Sequence, residues 1–181
     1  NETEKEELTS IEKRFAFEKV SSAYDGNREV IKKLSLTIPI GKTTAIVGPS
    51  GSGKSTLGKL IFGFYKPCKG KILIDGKETT TVKTKSLRMH LAVTPQDIVL
   101  FNDTLEYNLS YGSSYVSKDM LNYVIEKVDL TSLVSSLPNG LSTQVGERGL
   151  KLSGGEKQRV AIARMLLKDC SVNILDEATS S

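Results

Sequence analysis

Apolar and polar positions alternate early in the chain. Phe15, Phe17 and Val20 recur through Phe15 to Tyr24, and Ile31, Leu34, Leu36 and Ile38 recur more regularly through Val30 to Ile40. A period near two marks a half-buried strand, so these stretches predict two strands joined by a turn at Asp25-Gly26-Asn27. The short run Thr43 to Val47 predicts a buried strand, and Ser55 to Phe64 a helix closed by Pro67 and Gly70. Lys71 to Asp75 reads as a strand, Ser86 to Met89 as one helical turn, and Leu91 to Thr94 as a buried strand entering Pro95-Gln96-Asp97. From Thr104 to Leu137 the pattern turns helical, with Leu121, Val124, Ile125 and Val128 on one face. Pro138-Asn139-Gly140 breaks that insertion, and Thr143 to Gly149 forms a polar loop. A helix from Ser153 to about Leu167 and a strand from Ser171 to Leu175 follow. Asn1 to Lys13 is charged without an apolar stripe and reads as a linker or frayed helix end, outside any core.

Between the strand of Thr43 to Val47 and the helix after it stand Gly48, Pro49, Ser50, Gly51, Ser52, Gly53, Lys54, Ser55 and Thr56, spelling G-x-x-x-x-G-K-S. That is a phosphate-binding loop in its required context. Gly48, Gly51 and Gly53 let consecutive N–H groups turn inward at the positive end of a helix. Lys54 can reach the β- and γ-phosphates of a nucleotide, and the Ser55 hydroxyl can ligate a hard Mg²⁺ ion.

Two further stretches carry chemistry. In Leu152 to Arg159, Ser153 can cap a helix while Glu156, three residues on, completes a capping box. Gly154 and Gly155 each cost about 1 kcal/mol against alanine in a helix, a penalty explained if another backbone or a phosphate comes close. In Asn173 to Glu177 a strand tip presents Asp176 to Mg²⁺ and Glu177 to a water in line with the γ-phosphate. Gln96 can bridge metal and water through its amide oxygen, and the ring of Tyr24 can stack on a purine.

The 181 residues fit one domain with an inserted subdomain. No apolar run approaches the roughly 20 residues that cross a bilayer, so a membrane role has to come from another segment. Net charge is +4, and the residues after Arg14 hold 22 basic against 16 acidic side chains. Those lysines are scattered rather than clustered with aromatics, which argues against nucleic acid as a partner. Cys68 and Cys170 lack metal-ligand spacing and read as reduced thiols.

Taken in order, the phosphate loop, Gln96, Leu-Ser-Gly-Gly-Glu and Leu-Asp-Glu resemble the nucleotide-binding domain of ATP-binding-cassette (ABC) transporters. The resemblance covers essentially everything after residue 13. It implies an α/β fold: a P-loop NTPase (RecA-like) core with an antiparallel β subdomain and an inserted α-helical subdomain at about 97–165. Residues 1–13 would then link to a preceding transmembrane domain of the same polypeptide, and 14–181 would form the nucleotide-binding domain. The implied ligands are ATP and Mg²⁺, with Tyr24 on adenine, Gly48 to Thr56 on the phosphates, Ser55, Gln96 and Asp176 at the metal, and Lys54, Gln96 and Glu177 as catalytic groups. Ser153, Gly154, Gly155 and Glu156 would grip the γ-phosphate held by a second nucleotide-binding domain in a head-to-tail dimer, a homodimer in the full-length protein.

Thr143 to Gly149 resembles the loop that couples exporters to their transmembrane helices. Gln144 to Arg159, with Glu156 where many exporters have Gln, is similar to the mitochondrial and heavy-metal-tolerance half-transporters. That branch implies export of glutathione-linked or sulfur compounds in iron-sulfur metabolism. It places the membrane domain in a mitochondrial or related inner membrane with this domain in the matrix, the alternative being the cytosolic face of a vacuolar or plasma membrane. After Ser181 the family continues with a Leu-Asp loop and a γ-phosphate-contacting histidine, and the last core strands are missing as well. The expectation is a truncated chain that binds ATP with weak or no turnover. A cassette ATPase of DNA repair or chromosome architecture is a second reading, but it places long coiled coils between the loop and the signature, and here Lys54 and Ser153 are 99 positions apart. A nucleotide sensor without turnover is a third, against which Glu177 stands.

Overall fold

A computed structural model describes residues 5–23, 29–95 and 97–176. The chain divides into two compact units, residues 1–91 and 92–181.

In the first unit, the early alternation folds as β1 (Arg14–Ala23) and β2 (Glu29–Pro39). With β3 (Lys69–Ile74) and β4 (Lys77–Glu78) they form an antiparallel sheet in the order β2-β1-β3-β4. Phe15 lies opposite Ile38 on one side and Ile74 on the other, and Phe17 opposite Leu36 and Ile72. Phe15, Phe17, Val20, Ile72 and Ile74 are buried as the unit's core. The β1–β2 register shifts between Phe17 and Ala23, where Lys19 takes φ 49° and Lys33 φ 46°. The amides freed by this irregularity donate to serine hydroxyls: Lys19 N–H to Ser35 Oγ at 3.1 Å and Lys33 N–H to Ser21 Oγ at 3.0 Å. Helix α1 (Lys54–Ile61) buries Thr56, Leu57, Leu60 and Ile61, and α2 (Thr84–Met89) extends the expected single turn.

Two expectations for this unit are corrected. Thr43 to Val47 forms no strand; Ile46 is exposed and Val47 is 90% exposed. A strand requires ladder partners for its N–H and C=O groups, and no described strand pairs with this run. The second correction is to the segment before Arg14, which was read as lying outside the core. Ile11 is 3% exposed. Glu6 N–H donates to Thr81 O at 2.9 Å and Glu6 O accepts from Lys83 N–H at 2.8 Å, making a bridge to Val82. The amides of Glu12, Lys13 and Arg14 converge on the Asp75 carboxylate at 2.7, 2.8 and 2.8 Å. Three successive N–H groups around one anion make a nest, and here the anion belongs to the chain.

In the second unit, the helical insertion is three helices rather than one run: α3 (Leu105–Ser110), α4 (Lys118–Lys127) and α5 (Thr131–Ser136). Thr104 and Ser117 cap α3 and α4 by accepting from Tyr107 N–H and Met120 N–H. Asp129 at φ 56° ends α4 in the left-handed conformation. The long helix α6 (Gly154–Lys168) buries Val160, Ala163 and Leu167 among Leu105, Leu109, Val124 and Leu130. The two-residue strands β6 (Asp103–Thr104) and β7 (Gln144–Val145) pair, and β5 (Leu91–Thr94) lies beside β8 (Val172–Leu175).

Candidate phosphate site

The loop before α1 is shaped by its glycines. Gly51 and Gly53 hold φ 77° and 94°, values that side-chain-bearing residues rarely adopt. At Gly53 a Cβ would also lie 3.2 Å from Ile31 Cγ1 and 3.3 Å from Val30 Cγ1, so the loop is pressed on β2. A Cβ at Gly48 would come within 2.7 Å of Ser52 Oγ. Lys54 Nζ folds back over this turn and donates to the carbonyl oxygens of Gly48 and Pro49, each at 2.9 Å. Helix α1 then begins on Gly53 with no side-chain cap and no acidic residue in its first turn. A helix start without an acidic residue in its first turn has a positive end that favours an anion.

The start of α6 is built the opposite way. Ser153 Oγ accepts from Glu156 N–H at 3.3 Å, and Glu156 Oε2 accepts from Ser153 N–H at 2.7 Å and from the Ser153 hydroxyl at 2.8 Å. These bonds, first the backbone one and then the hydroxyl, hold the Glu156 carboxyl below its ordinary range. The sequence-read capping box is therefore present. Packing against the described residues requires neither Gly154 nor Gly155, because a Cβ at either meets none of them within 4 Å.

The remaining residues read from sequence are placed as follows. Asp176 follows β8, with its N–H donating to Thr94 O at 3.2 Å, so it sits beside the end of β5 that leads toward position 96. Tyr24, Gln96 and Glu177 lie outside the described residues. The structure brings Gly48 to Thr56 together in the first unit, and Ser153 to Glu156 in the second along with Asp176. Among the described residues no cluster of His, Cys, Asp and Glu could hold a metal by itself. No described helix is long and apolar enough to cross a membrane.

One side chain on which the sequence reading is silent is partly buried: Arg164 on α6 donates to Val99 O at 3.0 Å, to Asn108 O and to Asn108 Oδ1 at 2.7 Å. Its guanidinium stands 5.6 Å from the centre of the Phe101 ring. Asn108 is fully buried, and an asparagine inside an apolar helical stripe was the only available signal.

Comparison with known proteins agrees with these features. A family profile described as ABC transporter matches residues 31–180. The chain is 51% identical over 165 residues to the mitochondrial iron-sulfur clusters transporter ATM1 of Candida glabrata, covering 91% of this chain and 23% of that protein. It is 49% identical over 165 residues to the ATM1-type heavy metal exporter of Novosphingobium aromaticivorans, covering 91% of this chain and 27% of that one. Among solved structures, a bacterial Atm1-family ABC exporter with ATP bound superposes with a TM-score of 0.88 at 44% identity, over 98% of this chain and 32% of the other. The chain thus spans about a quarter of the length of the relatives it matches. With the phosphate loop, the capped signature helix and this similarity in hand, the chain belongs to the ABC transporter family, with the P-loop NTPase fold of Atm1-family exporters.

Proposed function

We propose that this chain is the ATP-binding and ATP-hydrolysing domain of a membrane exporter. The observation that carries the reading is the contrast between its two helix starts. Helix α1 starts on Gly53 with no side-chain cap and no acidic residue in its first turn, beside the loop glycines and Lys54, whereas α6 starts on a capping box of Ser153 and Glu156. The donor set fits a nucleoside triphosphate with Mg²⁺. Backbone N–H groups of the loop and Lys54 would hold phosphate oxygens, Ser55 with Gln96 and Asp176 would supply hard oxygen ligands, and Tyr24 would stack on adenine. The metal's contribution when bound is neutralisation of phosphate charge.

Glu177 is the group that accepts a proton from the water attacking the γ-phosphorus, and Gln96 orients that water. Ser153, Gly154, Gly155 and Glu156 cover the nucleotide of a second copy in a head-to-tail dimer. Thr143 to Gly149 touches the transmembrane helices. The names of the relatives support cargo in iron-sulfur or heavy-metal metabolism, and glutathione-linked or sulfur compounds suit that chemistry. A mitochondrial or related inner membrane is the corresponding location.

In the full-length protein, Glu177→Gln is expected to retain ATP binding and abolish phosphate release, and unchanged turnover would remove Glu177 from this role. Sequencing the gene upstream of Asn1 is expected to show about six apolar spans of roughly 20 residues each. Their absence would exclude the exporter reading and favour a soluble cassette ATPase.

A further inference from the structure

The second unit contains a hydrogen-bonded chain that runs from α6 to the loop Thr143 to Gly149. Arg164 on α6 directs three N–H bonds to one segment, at Val99 O, Asn108 O and Asn108 Oδ1, and no carboxylate among the described residues pairs with it. Asn108 carries the connection onward: its Oδ1 accepts from Phe101 N–H at 2.8 Å, and its amide donates to Phe101 O and Thr104 O, each at 3.0 Å. The neighbour of Phe101 completes it. Asn102 Oδ1 accepts from Arg148 N–H at 2.9 Å, inside the polar loop.

That loop is also held sterically. Gly146 approaches so closely that a Cβ there would stand 2.8 Å from both Asn102 Oδ1 and Phe101 O. Leu105 N–H donates to Thr143 O at 3.0 Å, and Asp103 and Thr104 pair with Val145 and Gln144. Bonds from a guanidinium are the strong kind, and a buried amide with all its bonds made resists rearrangement. Sliding the loop against α6 would break several of these contacts at once.

We propose that Arg164, Asn108 and Asn102 are positioning residues that lock α6 to the loop Thr143 to Gly149, so that a displacement of Ser153 to Glu156 on nucleotide binding is carried to the loop. This rests on the reading of those four residues as nucleotide-contacting. Asn102 is the informative member, because it is exposed and its removal leaves Arg164 and Asn108 intact.

The test is amide hydrogen exchange on the full-length protein with and without a non-hydrolysable ATP analogue. In the unmutated protein, the analogue is expected to slow exchange at both 153–157 and 144–149. Asn102→Ala should keep the slowing at 153–157 and the melting temperature, while the response at 144–149 falls at least about twofold, the lower end for coupling through such a network. Asn102→Asp retains an oxygen acceptor for Arg148 N–H and should restore the response. Arg164→Lys, which keeps the charge and loses the fork, should weaken it without touching the loop. An unchanged response at 144–149 in Asn102→Ala, or no restoration by Asn102→Asp, overturns the lock. A fall at both segments with a lower melting temperature also overturns it, by making Asn102 a residue of the fold alone. No response at 153–157 in the unmutated protein overturns the reading of the signature instead.

Discussion

Glu156 Oε2 accepts both the backbone N–H and the hydroxyl of Ser153, so the one hydroxyl proton of Ser153 points back into its own helix start. On the proposed function, that proton has to turn toward a phosphate oxygen while a carboxylate held ionised stands beside it. Glu156→Gln keeps an oxygen acceptor at the third helical position and removes the charge. The expected outcome is tighter nucleotide binding by the assembled full-length protein, by about twofold to tenfold for a charge in the first turn of a helix. Titration with a fluorescent ATP analogue measures it, and weaker binding would show that the charge is not an obstacle.

Lys54 is held by the Gly48 and Pro49 carbonyls and, among the described residues, by no carboxylate. Lys54→Ala is expected to weaken nucleotide binding by about tenfold or more, the scale of losing hydrogen bonds from a charged donor. Because these bonds are exposed, the unfolding free energy from urea denaturation should stay within about 0.5 kcal/mol of the parent. A large loss of stability would mean that the lysine organises the loop in the absence of any anion.

Asp75 makes the docking of the first residues sensitive to acid. Burial raises its pKa, but the amides of Glu12, Arg14 and Lys13, with the Lys13 charge, outweigh this and leave it below the ordinary value. A depressed carboxylate contributes its stabilisation fully above the unfolded value of about 3.9. That contribution is lost as pH falls through the lower folded value. Protection of the amides of residues 12–14 should therefore hold at neutral pH and collapse only below about pH 4. Asp75→Asn should abolish this transition and lower protection at pH 7.

Gly70 and Gly76 separate two costs. Both have positive φ, 77° and 89°, but a Cβ at Gly70 would lie 2.4 Å from the carbonyl oxygens of Glu18 and Lys19, whereas one at Gly76 meets nothing within 4 Å. Gly76→Ala is expected to cost about 1–2 kcal/mol, the left-handed penalty alone. Gly70→Ala should cost clearly more, since β1 and β3 must move apart, and urea denaturation of the two variants measures the difference.

The features legible in the sequence are those written in contiguous residues. The phosphate loop and the capping box are local backbone chemistry, and the alternation through Phe15 and Phe17 is a local consequence of one face meeting a core. What was not legible depends on distant partners. Thr43 to Val47 has a strand's composition, but a ladder is made by neighbours, and no described strand pairs with it. Ile11 is one of two large apolar residues, with Leu8, in a charged stretch, and the amides that follow it dock on Asp75, more than sixty positions later. Arg164 sits at an unremarkable helical position, and only the fold brings it to Val99 and Asn108.

The bare surface at Gly154 and Gly155 separates two things that usually fail together. A methyl group there meets no described residue of its own chain within 4 Å, so packing inside the described fold does not penalise it. Alanine at either should even firm the helix, by up to about 1 kcal/mol. Any harm from the extra carbon would therefore be felt only by whatever molecule approaches from outside, which makes this pair of glycines a gauge of intermolecular clearance.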